Sequence, residues 1–161
     1  MWIKYLKNCF LLLIPILIWN LLLASHLPKV FQPEIFWNDI PSFISIPESI
    51  FRFVIMAAPA FMILSVKTRM QRIGLSIYLI GTALYFCSWL VLILNPDGDW
   101  SNSMIFLMAP AYLPILWLVG IGLIGDKSFF RIRHTSAIYI VFSILFIVFH
   151  CLHAYWVFMR V

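Results

Sequence analysis

Glu48, Arg52, His150 and His153 are the side chains of this sequence best suited to chemistry. A glutamate four residues ahead of an arginine makes a favourable pair on one helix face, and histidines three residues apart also share a face. Set in apolar sequence, this group admits three kinds of chemistry. A histidine or a desolvated carboxylate can move a proton on a lipid-borne substrate while Arg52 holds an anionic headgroup. Glu48, His150 and His153 are therefore the candidate catalytic residues. The histidines can also bind a metal with Glu48 or Asp39, but neither an HExxH pattern nor a second histidine pair accompanies them, and no metal or other cofactor is assigned. The third possibility is binding without reaction, either of a lipophilic small molecule or of a partner protein, since a polar site on a fold does not make an enzyme. Cys151 sits between the histidines in sequence, but its helical position turns it to another face, so nucleophilic catalysis finds no support.

Two stripes of polar and aromatic residues extend the candidate site. Tyr139, Ser143, Phe146, His150 and His153 recur at three- and four-residue intervals, as do Tyr78, Thr82, Tyr85 and Trp89. Facing inward, they can line a slot for a flat or elongated apolar ligand, with hydroxyls giving orientation. They serve equally as hydrogen-bonding glue between helices. The expected ligand-binding set is Arg52, Tyr78, Thr82, Tyr85, Trp89, Tyr139, Ser143 and Asp39.

The elements that position these residues follow from composition. Of 161 residues, 64% are hydrophobic and 11% charged, too much apolar surface for a soluble core of this size. Lipid is part of the solvent. Five stretches approach the roughly 20 apolar residues that cross a bilayer, at about 5–25, 47–66, 73–94, 103–124 and 136–158. The expected fold is an all-α integral membrane protein, a single domain of five transmembrane helices. Residues 10–25 after Lys4 and Lys7 have some features of a secretory signal, but Pro15, Trp19 and Asn20 are unusual in a signal core, and a retained first helix is expected.

Eight of the eleven lysines and arginines lie at Lys4, Lys7, Lys67, Arg69, Arg72, Lys127, Arg131 and Arg133, all on one side of such a bundle. The positive-inside rule then makes the N-terminus cytoplasmic and the C-terminus external, in a plasma (inner) membrane. Topology explains the net charge of +5 without a nucleic-acid partner. Glu34, Asp39, Glu48, Asp97 and Asp99, with His150 and His153, gather at the opposite, outer end. The inner half of the helices, apart from Ser76, Tyr78 and Tyr139, has little to line an ion path, which argues against a channel.

Residues 26–46 mix aromatics with Pro33 and Pro41, and are expected as an interfacial loop with one short turn folded over the outer mouth. Asp97-Gly98 predicts a reversal; the surrounding acids are too few and too short a run for a calcium loop. Met56-Ala57-Ala58-Pro59-Ala60-Phe61-Met62 and Leu107-Met108-Ala109-Pro110-Ala111-Tyr112-Leu113 form a weak internal match, each proline predicting a kink. Cys9, Cys87 and Cys151 are an odd, widely spaced set, suited to neither disulfides nor zinc. The expected partners are membrane lipid or a lipophilic ligand, and a second membrane protein or another copy of the chain. Five helices and abundant tryptophan are shared with the tryptophan-rich sensory proteins, but Gln32-Pro33-Glu34-Ile35-Phe36-Trp37 lacks their first-loop pattern, and no family is assigned.

Overall fold

The computed structural model describes residues 7–96, 98–99 and 103–160. Lys4, the first two residues of the expected first helix and Asp97 of the expected reversal lie outside them. Regular structure among the described residues is helical, with only two isolated β-bridges. α1 (Ile14–Leu23) is flanked by 3-10 turns Cys9–Leu12 and Ala24–His26; α2 (Pro33–Phe36) follows, then α3 (Ser42–Ala57) with a 3-10 extension Ala58–Phe61. α4 (Arg69–Leu94), α5 (Met104–Leu107), α6 (Ala109–Tyr112), α7 (Pro114–Ile124) and α8 (Thr135–Phe158) complete the chain. Among the described residues, four stretches are long and apolar enough to cross a membrane: Cys9–His26, Ser42–Phe61, Arg69–Leu94 and Thr135–Phe158. Ala109–Ile124 is a shorter apolar helical stretch.

Prolines account for the places where the helices depart from expectation. The helix expected over 47–66 instead begins at Ser42 and gives out around Pro59. Pro59 has no N–H to offer the carbonyl of Ile55, one turn back. The Tyr139 hydroxyl of α8 donates to that carbonyl at 3.2 Å, so the freed group is satisfied from the neighbouring helix. The helix expected over 103–124 is broken at Met108 and Leu113 into α5, α6 and α7, because Pro110 and Pro114 each remove a helical donor. α4 starts four residues earlier than expected. Its N-terminus is closed by a capping box in which Thr68 Oγ1 accepts from the Gln71 N–H while Gln71 Oε1 accepts from the Thr68 N–H.

Past Phe61 the chain is extended and held on both sides. Cys9 N–H donates to Met62 O at 2.9 Å and Leu64 N–H to Lys7 O at 3.1 Å; on the other flank Ile63 N–H donates to Lys127 O at 2.8 Å and Phe129 N–H to Phe61 O at 3.0 Å. Buried Gln71 ties the same end further, its Nε2 donating to Asp126 Oδ1 at 2.9 Å. The start of α1, the end of α3, the start of α4, the end of α7 and the approach to α8 thus meet at one end of the bundle. That end carries the basic tracts.

α4 and α7 form the closest helix pair, and glycine makes it possible. A Cβ on Gly120 would lie 2.6 Å from Tyr78 N, and one on Gly81 would lie 2.7 Å from Trp117 N. Gly74 meets the same neighbour, with its missing Cβ 3.0 Å from Gly120 O. Small residues at these positions let the two backbones approach closely, which supplies the packing contact. α8 packs against α3 on one side and α7 on the other, which brings the histidines of α8 to the carboxylate of α3.

Candidate functional site

Glu48 lies on α3, buried completely, one turn ahead of Arg52. Its Oε1 accepts from Arg52 and from His150 Nδ1, the latter at 2.8 Å; its Oε2 is bonded to His153 Nδ1. A carboxylate at this depth needs such partners, because an unpaired charge removed from water is costly. α8 delivers both rings to one carboxylate because positions three apart lie on the same face. His153 is itself fully buried, sandwiched by the loop: Phe36 stacks on it at 4.3 Å and Trp37 meets it edge-on at 4.7 Å.

The second nitrogen of His153 fixes the proton count. Nε2 lies 2.7 Å from the carbonyl oxygen of Phe36, which can only accept, so Nε2 carries a hydrogen. Nδ1 faces Glu48 Oε2, and a hydrogen bond there requires another proton between ring and carboxylate. Glu48 and His153 together therefore hold one proton more than a carboxylate and a neutral imidazole.

A cavity of about 370 Å³ opens beside this cluster. Arg52 and His150 line it, with Trp37, Phe146, Tyr85, Trp89 and Trp117 among the aromatic walls and Asn20 of α1 as a further polar group. Arg52 is one-third exposed, its guanidinium 4.8 Å from the Trp37 ring centre and 5.8 Å from that of Phe146, so cation–π contact holds the head in place. Phe146 also stacks on His150 at 5.1 Å. Among the described residues, no group bonds His150 Nε2 and no acid other than Glu48 pairs with Arg52. Tyr85 donates to Asn20 Oδ1 at 2.9 Å, which orients a donor-bearing amide in the wall.

The expected site residues divide. Arg52, His150, Tyr85 and Trp89 meet at the cavity, with Glu48 and His153 behind them. Tyr78, Thr82, Tyr139 and Ser143 are buried in helix contacts: Tyr78 donates to Leu12 O at 2.8 Å, Tyr139 to Ile55 O, and Ser143 to Tyr139 O at 2.8 Å. Asp39 is exposed in the loop, accepts from the Asn38 amide at 2.9 Å and stands apart from the cluster. Asn20, Trp37, Trp117 and the Phe36 carbonyl belong to the site without having been singled out. A lone asparagine in an otherwise apolar first helix was a usable signal for Asn20; nothing in sequence points to a particular backbone carbonyl. Among the described residues no group of three or more His, Cys, Asp or Glu side chains is arranged to hold a metal ion.

No family model, no curated protein and no solved structure matches the chain. Its class rests on its own features, namely four helices long and apolar enough to cross a membrane, compatible with a membrane protein.

Proposed function

We propose that the chain is a five-span membrane protein that holds a lipophilic small molecule in the cavity between α1, α3, α4, α7 and α8. The cavity itself carries this reading: its walls are mainly aromatic and aliphatic, while Arg52, His150 and Asn20 supply a few polar groups at one place, the usual composition of a small-molecule site. The loop over 28–41 supports retention of a ligand. Its Phe31, Phe36 and Trp37 line the same hollow, and Arg160 past α8 anchors it by donating to Ile35 O at 2.9 Å.

Five crossings are supported by the alternation of ends: Ala109–Ile124 with α5 runs between the end of α4 and the approach to α8, and about 21 residues at 1.5 Å each span roughly 31 Å. The basic end is then cytoplasmic and the Glu48 cluster external, in the plasma membrane. A second reading is favoured by one observation, the bonding of His150 and His153 to one carboxylate: acid–base chemistry on a lipid-like substrate, in which His150, its Nδ1 hydrogen on Glu48, takes a proton from the substrate at Nε2 and becomes an imidazolium paired with Glu48.

Filling the cavity tests the ligand reading. Met56 lines it from α3, and Met56→Phe should remove most of the quenching of tryptophan fluorescence that 11-bromoundecanol causes in the detergent-solubilised wild type, without loss of helix content. Equal quenching of both proteins would overturn it, because the bromine would then be acting from the outer, lipid-facing surface alone.

A further inference from the structure

We infer that the molecule held in the cavity carries a compact anionic head, a carboxylate or a phosphate, seated on the free edge of Arg52. The inference rests on the cavity reading and sharpens it. Charge counting leads to it. The extra proton required by the two acceptors around His153 cancels the charge of Glu48, whichever of the two groups holds it. His150 donates through Nδ1 and is neutral in that role. Arg52 is thus left with a whole positive charge that no acid among the described residues balances, although Glu48 bonds it.

An unbalanced cation inside an apolar bundle is unfavourable unless an anion or water reaches it. The cavity brings a ligand to that point. Arg52 has five N–H donors and spends one side of the guanidinium on Glu48, so a planar edge remains for a second oxyanion, and Arg forks match carboxylate and phosphate geometry. His150 lines the same wall, and because its hydrogen is on Nδ1 it offers an acceptor there, suited to the hydroxyl of a monoprotonated phosphate and adding no donor to a carboxylate. The tail then lies along Tyr85, Trp89 and Trp117.

Matched ligands test this on the full chain in a mild detergent, using the part of the tryptophan quenching that Met56→Phe removes as the cavity-specific signal. 11-Bromoundecanoate is compared with methyl 11-bromoundecanoate, and 11-bromoundecyl phosphate with 11-bromoundecanol. At least one anionic member should half-saturate the signal at a concentration at least about tenfold below its neutral partner. Discrimination in the first pair alone marks a fatty-acid source, and in the second pair alone a phospholipid-type head. Arg52→Gln should reduce the preference to less than about twofold, and Arg52→Lys, which keeps the charge but loses the fork, should retain only part of it, with helix content checked for each. Equal binding within both pairs by the wild type overturns the anionic head while leaving the cavity reading intact. Absence of a cavity-specific signal for all four compounds overturns both.

Discussion

Replacing Glu48 with leucine should be among the most damaging single changes in this protein. The side chain is fully buried and hydrogen-bonded to three side chains on two helices, so its loss strands His153, itself fully buried, beside an apolar surface. Removing one partner of a buried charged pair costs about 3–5 kcal/mol. Arg52 adds less than its contact implies, because it is one-third exposed and can turn its head toward the cavity. His150 keeps an accessible wall and adds about 1 kcal/mol. A total of roughly 4–6 kcal/mol is therefore expected, read as the change in unfolding free energy when the protein in mixed micelles is titrated with a denaturing detergent and followed by far-UV circular dichroism. The pairing also predicts non-additivity: Glu48→Leu with His153→Leu should cost about 0.5–3 kcal/mol less than the sum of the singles. A single-variant cost below about 1 kcal/mol, or strict additivity, would refute the idea that this carboxylate organises its end of the bundle.

Other changes probe the frame that holds the cluster. Gly120→Val should force α4 from α7, since even a Cβ would stand 2.6 Å from Tyr78 N, and a destabilisation of about 1–3 kcal/mol or more should appear in the same titration. Tyr139→Phe should cost about 1–3 kcal/mol by orphaning the Ile55 carbonyl that Pro59 leaves without a helical donor, and Pro59→Ala combined with it should restore part of the loss. In a background lacking the native cysteines, Lys29→Cys should react with a membrane-impermeant maleimide in intact cells and Lys127→Cys only after lysis; the reverse pattern would invert the proposed orientation.

How far the sequence carried the reading depended on which physical signal was involved. Apolar run length and charge tracts are local and strong, so residues 73–94 and 136–158 were recognisable as helices, and both fall within observed ones. Boundaries failed where proline acts, because a proline marks a break without saying which neighbour satisfies the freed carbonyl or whether the helix resumes, as it does at Pro114 and does not after Pro59. The cluster of Glu48, Arg52, His150 and His153 was legible because two helical spacings and one shared depth converge on it. The stripes were harder to apportion, since periodicity shows that Tyr85 and Tyr139 face inward but not that the first borders a cavity while the second bonds a backbone carbonyl. The role of Gly74, Gly81 and Gly120 depends on which helices pair, which no single-helix pattern contains.

The central claim, that the bundle holds one amphiphile beside Arg52 and His150, is tested most directly by native mass spectrometry of the full chain purified from its membrane in a mild detergent. The wild type should retain a single bound lipid-like molecule through collisional activation that strips loosely attached detergent, and Met56→Phe, its cavity filled, should emerge bare. A wild-type chain that emerges bare, or a Met56→Phe chain that keeps the same adduct, would contradict the account.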